Sequence, residues 1–168
     1  MATTSGEKKS VTATIKIDWL LFSIMNETFL RGRTIQNKDN HKEVASMFAS
    51  EDEENREKIL RSIKHSFAVV QSELSEYLNE NGSVTDNSNY DGKTNLVLNL
   101  MMPSNFNEAA TKGLGEAVHA YLANTAIADW YIVTNKGDAE QYYALAAKSM
   151  ELICQAASKR SRPTRPNA

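Results

Sequence analysis

The sequence is poor in the residues that carry covalent or metal chemistry. It has one cysteine, Cys154, so neither an internal disulfide nor a cysteine metal cluster can form. A lone thiol fits a reducing compartment and a small buried hydrophobe. The three histidines, His41, His65 and His119, fall in separate segments with no cysteine partner. Glu116-Ala117-Val118-His119 is one Glu-x-x-His step, a unit that di-iron bundles use twice, and no second copy follows. Glycine is scarce, and Gly113-Leu114-Gly115 is too short for a phosphate loop. No nucleophile elbow appears. The apolar run from Ile17 to Met25 contains Asp18 and is too short to span a bilayer. The start, Met1 to Ser10, is polar and does not read as an export signal. A formal net charge of -2 gives no overall basic field for nucleic acid. These absences lead to the expectation of no catalytic residue, no cofactor, no metal, no membrane contact and no small-molecule substrate.

What is present is helix-forming periodicity. The chain has 168 residues, 41% hydrophobic and 24% charged, enough for one domain with a core. The segment from Ser104 to Lys159 reads as two antiparallel helices joined through Thr134 to Asp138. Leu114, Val118, Tyr121, Leu122, Thr125, Ala128 and Ile132 make one face of the first helix, and Trp130 and Tyr131 widen it. Ser104 or Asn105 caps that helix, and Gly113 and Gly115 threaten to break it early. Gly137 suits the left-handed residue past its end, and Asp138 with Gln141 suits a capping box for the second helix. There Tyr142, Leu145, Ala146, Ser149, Leu152, Ile153, Ala156 and Ala157 recur at helical spacing.

Upstream, Met1 to Val11 reads as flexible. Ile15 to Leu30 is apolar on two faces. Ile17, Leu20, Leu21 and Ile24 form one stripe; Trp19, Phe22, Met25 and Phe29 form another. Such a helix lies centrally in a bundle, or one face meets another subunit. Arg31 to Lys42 reads as a loop, and Glu43 to Ala49 as a short helix. Ser50 with Glu53 reads as a capping box, with Glu51, Asp52, Glu53, Glu54 and Glu57 placed at the positive end of the helix dipole. Ile59, Ile63, Phe67, Val70, Leu74 and Tyr77 then follow at helical spacing, and the helix should stop near Asn79 to Gly82. Asn79 to Gly92 has loop composition. Leu96, Leu98, Leu100 and Met102 alternate with other residues as a strand does, and Pro103 stops it. One strand needs a partner, in the N-terminal segment or in a neighbouring chain. The tail carries Lys159, Arg160, Arg162 and Arg165 without an acid.

The expected fold is therefore mainly α: a helical bundle built on a C-terminal antiparallel helical hairpin, with one short β element. The expected organisation is a flexible start at 1–12, one helical domain at 13–158 and a basic flexible tail at 159–168.

Three features together carry a resemblance. They are the acid-capped helix from Ser50 to Tyr77, the strand from Leu96 to Met102, and a hairpin containing Ala117-Val118-His119-Ala120-Tyr121-Leu122 and Ala128-Asp129-Trp130-Tyr131. The hairpin ends in Lys159-Arg160-Ser161-Arg162-Pro163. Over about residues 50–163 the chain resembles the head–tail connector, or adaptor, proteins of tailed bacteriophages and prophages. The resemblance implies a virion component, assembled in the bacterial cytoplasm. It would form a homo-oligomeric ring between portal and tail proteins, with DNA passing through and touched non-specifically. A ring needs two different faces to meet. Glu51, Asp52, Glu53, Glu54, Leu96, Leu98, Leu100, Lys159, Arg160, Arg162 and Arg165 are the candidate interface residues. The alternative is a small helical protein-binding or regulatory module acting as monomer or dimer.

Overall fold

The computed structural model describes residues 7–37, 39–49, 52–79 and 95–163. The order is β1 (Lys9–Ile15), α1 (Ile17–Ile35), α2 (His41–Met47), α3 (Glu53–Glu73), a 3-10 turn (Ser75–Tyr77), β2 (Leu96–Met102), α4 (Ala110–Thr134) and α5 (Lys136–Ala157). The protein is mainly helical, and α4 and α5 pack as the expected hairpin.

Helix α4 is the axis of the fold. Leu114, Val118, Leu122, Ile127, Ala128 and Tyr131 are all buried, and they point in several directions around the helix. A helix that is apolar all round must be covered on every side. Here α5, α3, α1, α2 and β1 all pack against it. Ala117, Ala123, Ala126 and Ala128 are buried and small, which lets these neighbours approach closely. Gly113 and Gly115 do not break α4. Gly115 lies beside β1, where an added Cβ would stand 3.9 Å from Ala13. The helix starts at Ala110, later than a cap at Ser104 or Asn105 would give. The segment between is held by the Phe106 N–H donating to Pro103 and the Ala110 N–H donating to Asn107.

One residue, Asn135, separates α4 from α5. Its side-chain oxygen accepts from the Asp138 N–H at 3.3 Å, so Asn135 caps α5. The sequence points instead to Gly137 as terminator and Asp138 as cap. Both lie inside the first turn of α5. Asp138 is 5% exposed and takes a bidentate pair from Arg31, at 2.8 Å from Nε and 2.7 Å from Nη2. Arg31 can reach it because α1 continues to Ile35, through residues that read as a loop. On α5, Tyr142, Ala146, Ser149, Ile153 and Ala157 are buried, whereas Leu145, Leu152 and Cys154 are exposed. The apolar stripe of α5 is narrower than its composition suggests, and Cys154 is not a core residue.

The strand finds its partner within the chain. β1 and β2 are antiparallel, from Lys9↔Met102 to Ile15↔Leu96. Residues 9–11 are thus strand, where a flexible start was expected. Strand alternation sends Val11, Ala13 and Ile15, with Leu96, Leu98, Leu100 and Met102, into the core. Leu78 bridges Leu100 on the outer side of β2. Helix α3 begins at Glu53, one residue after Asp52, so Glu53 is not the third residue of a capping box. Ser50 lies outside the described residues. Ile59, Ile63, Phe67, Val70 and Leu74 are buried as their spacing requires.

Candidate functional site

Three surface features stand out, each made by how elements sit around α4. The first is the outer face of α1. Ile17, Leu20, Leu21, Ile24 and Thr28 fill its inner face. The second stripe is open in part: Trp19 is 62% exposed, Phe22 61% and Phe29 45%, with Leu30 beside it at 49%, whereas Met25 is half-buried against the core. The Trp19 and Phe22 rings lie 6.0 Å apart, and the Arg33 guanidinium sits 5.5 Å from the centre of the Phe29 ring. Of the two sequence readings for this helix, the central place belongs to α4. Among the described residues, Phe48 meets the Phe29 ring at 5.4 Å between centroids, whereas Trp19 and Phe22 are left largely open.

The second feature is a groove of about 450 Å³ above α4, walled by α3 and α5. Tyr121, Thr125 and Asp129, spaced by four, make its floor. Asp129 accepts from Tyr143 Oη at 2.6 Å and from the Ser62 hydroxyl. The Tyr143 hydroxyl is pushed up to about 12, first by burial and then by its hydrogen bond to Asp129. Burial also raises Tyr121. Phenols raised above their ordinary value stay protonated near neutral pH, so they donate hydrogen bonds rather than act as bases. Val69, Ala146, Ala147 and Met150 supply apolar walls. The groove suits a segment with apolar side chains and a few acceptors. Sequence reading missed it, because Asp129 and Tyr143 signal nothing until the hairpin brings them together.

The third is a cavity of about 270 Å³ at the junction of β1, α1 and α4, lined by Lys16, Trp19, Lys112, Glu116 and His119 among others. His119 Nε2 is buried without a hydrogen-bond partner. Burial lowers its pKa, and the Glu116 charge opposes that shift. The Glu-x-x-His step therefore presents a neutral imidazole. Among the described residues, no group of three or more histidine, cysteine, aspartate or glutamate side chains is placed to hold a metal. No described helix is long and apolar enough to cross a membrane.

No family model, curated protein or solved structure matches the chain.

The candidate interface residues fall into three groups. Leu96, Leu98 and Leu100 are core: their side chains are 1%, 0% and 0% exposed, because strand alternation turns them inward. They offer nothing to a neighbour, and β2 is already paired. Asp52, Glu53 and Glu54 are exposed at the start of α3. Lys159, Arg160 and Arg162 are exposed just beyond α5. Glu51 and Arg165 lie outside the described residues. The stem of the tail is tied down. The Asn107 N–H donates to Lys159 at 3.2 Å, and the Ser161 N–H donates to Asn105 at 2.7 Å. Arg160 Nη1 donates to the Ala157 carbonyl at 2.9 Å.

The acids and the bases sit at opposite ends of α4. Lys58, one turn past Glu54, lies over Trp130 near the C-terminal end of α4. Lys159 to Ser161 pair with residues just before its N-terminal end. With 25 residues, α4 is about 37 Å long at 1.5 Å per residue, and most of that length separates the two clusters.

Proposed function

We propose that this protein is a structural assembly subunit of the head–tail connector type. It would form a homo-oligomeric ring between portal and tail proteins through which DNA passes, within the virion. The observation that carries this reading is the charge polarity along α4, acidic at the start of α3 and basic beyond α5. Unlike ends favour head-to-tail contact between copies, which is the heterologous geometry a ring requires. Leu96, Leu98 and Leu100 no longer belong to this reading. The sequence resemblance supplies the virion context.

The test is exchange of charge. The Glu53→Lys/Glu54→Lys and Arg160→Glu/Arg162→Glu double variants are each expected to assemble less than the parent, as read by light scattering and electron microscopy. Mixing the two is expected to recover assembly, and recovery is expected to weaken with salt. Unchanged assembly in both single preparations would overturn the reading.

A second reading, a helical protein-binding module, is favoured by the groove over α4, whose walls carry apolar side chains and whose floor carries Tyr121, Thr125 and Asp129. It predicts a monomer or dimer in the same measurements, whatever the charges at 53, 54, 160 and 162.

A further inference from the structure

The outward positions of α1 are Trp19, Phe22, Asn26, Phe29 and Arg33, all exposed. They step by three and four in strict alternation, the spacing of a coiled-coil seam. The seam has three aromatic side chains and one central amide. Its inner counterpart, Ile17 to Thr28, is already used by the core, so this is a second helix-packing face on one helix, met within the chain only where Phe48 reaches Phe29.

We infer that this seam pairs with the same seam of a second copy of the chain, with the two α1 helices antiparallel. Charge sets the direction. Asp18 stands at one end of α1 and Arg33 at the other. A parallel pair would put Asp18 beside Asp18 and Arg33 beside Arg33. An antiparallel pair puts each Asp18 and Trp19 beside the partner copy's end that carries Arg33, joining opposite charges and offering a cation to the indole face. Residue 26 is the midpoint of the helix from 17 to 35. Asn26 then falls near the two-fold axis, where two amides can hydrogen-bond each other across the seam. A polar residue at such a position fixes register.

The area is consistent with a modest dimer. Four half-bare side chains of this size expose roughly 400 Å² of apolar surface, taking about 200 Å² for a whole aromatic side chain. A stable interface buries about 800 Å² per partner. Met25 is half-buried against the core and adds little, so the pair is expected to be weak and to form only as the chain is concentrated. The undescribed segment 80–94 is a poor alternative occupant, since Val84 and Tyr90 are its only large apolar residues. The contact is two-fold and uses neither charged end of the molecule, so it stands apart from the connector reading.

The test uses the full chain with Cys154→Ser, which removes the exposed native thiol. Sedimentation should show a dimerising species, and Phe22→Asp and Trp19→Asp should abolish that step while leaving the helical circular dichroism unchanged. Under mild oxidation Asn26→Cys should cross-link into a dimer, and Trp19→Cys should cross-link at least ten-fold less. Equal cross-linking at 19 and 26 would mean parallel helices and overturn the antiparallel pairing. A parent chain that stays monomeric at every concentration would overturn the inference, as would a folded Phe22→Asp variant of unchanged size. Charge-reversal at 53, 54, 160 and 162 should leave the Asn26→Cys cross-link intact. Its loss there would overturn the independence claimed for the seam.

Discussion

Helices α4 and α1 are both too apolar for an ordinary surface helix, yet they meet opposite fates. Around α4, alanines at 117, 123, 126 and 128 let neighbours close in on all sides, and Tyr131 and Trp130 are enclosed. Around α1, one face packs on α4, and the outer face keeps its largest side chains bare. Apolar content alone does not decide which helix is central. The bulk of the side chains around the helix decides how many neighbours can fit.

The sharpest way to break that contrast is to truncate one aromatic on each helix. Tyr131 is fully buried and its hydroxyl faces the Thr28 carbonyl. Tyr131→Ala is expected to cost about 4 kcal/mol in chemical denaturation, from lost burial plus the cavity left behind. Trp19→Ala, measured at a concentration where the chain is monomeric, is expected to stay within about 0.5 kcal/mol of the parent. A large loss at Trp19 would mean that its face is covered within one chain.

Smaller, but still large for one side chain, is the clasp between the two regions. Arg31 on α1 holds the buried carboxylate of Asp138 on α5. Arg31→Ala leaves that carboxylate without its cation and is expected to cost about 2–3 kcal/mol. The figure is at the low end for a broken buried pair because water can reach the partly exposed site. Asp138→Asn in the same background removes the stranded charge, and part of the loss should return. If Arg31→Ala melts like the parent, α1 is held by its apolar inner face alone.

Much of this arrangement was legible in the sequence. The hairpin, the α3 spacing from Ile59 to Leu74 and the strand from Leu96 to Met102 follow from local periodicity; the ends differ, with α4 starting at Ala110 rather than near Ser104 and α3 stopping at Glu73 rather than near Asn79. The errors have a common cause, which is non-local pairing. β1 reads as polar and flexible because Ser10, Thr12 and Thr14 face outward and a lysine, Lys9, opens the inward row, and only β2 makes it a strand. Arg31 to Ile35 reads as loop because the residue that rewards its helical conformation, Asp138, is over a hundred positions away. Asp138 itself passed for a cap, since a buried carboxylate and a surface one look alike in one dimension. The same limit explains the candidate interface. Charges at 53, 54, 160 and 162 are on the surface as charges should be, whereas Leu96, Leu98 and Leu100 were offered to a neighbour only because β1 went unseen.

The smallest expected effect concerns the third boundary in this comparison, where β1, α1 and α4 meet around His119. Burial disfavours its charged form, and the lowered pKa means that the folded state binds a proton less readily than the unfolded chain. A group whose folded pKa lies below its unfolded value of 6.5 releases no stability while both states are neutral. Above pH 6.5 the term is therefore constant. As pH falls below 6.5 the unfolded chain takes up the proton first, and stability declines. The decline continues until the folded pKa is passed, with the slope of at most one proton. Glu116 works against the shift, so Glu116→Gln should depress the folded pKa further and extend the decline to lower pH. His119→Gln should remove this component from the acid limb measured by urea denaturation between pH 7 and 5, leaving the carboxylate contribution below it. An acid limb identical in parent and His119→Gln would mean that the imidazole is as well solvated in the folded chain as in the unfolded one. The junction of α1 with α4 would then be open to water at the very point where Nε2 is enclosed.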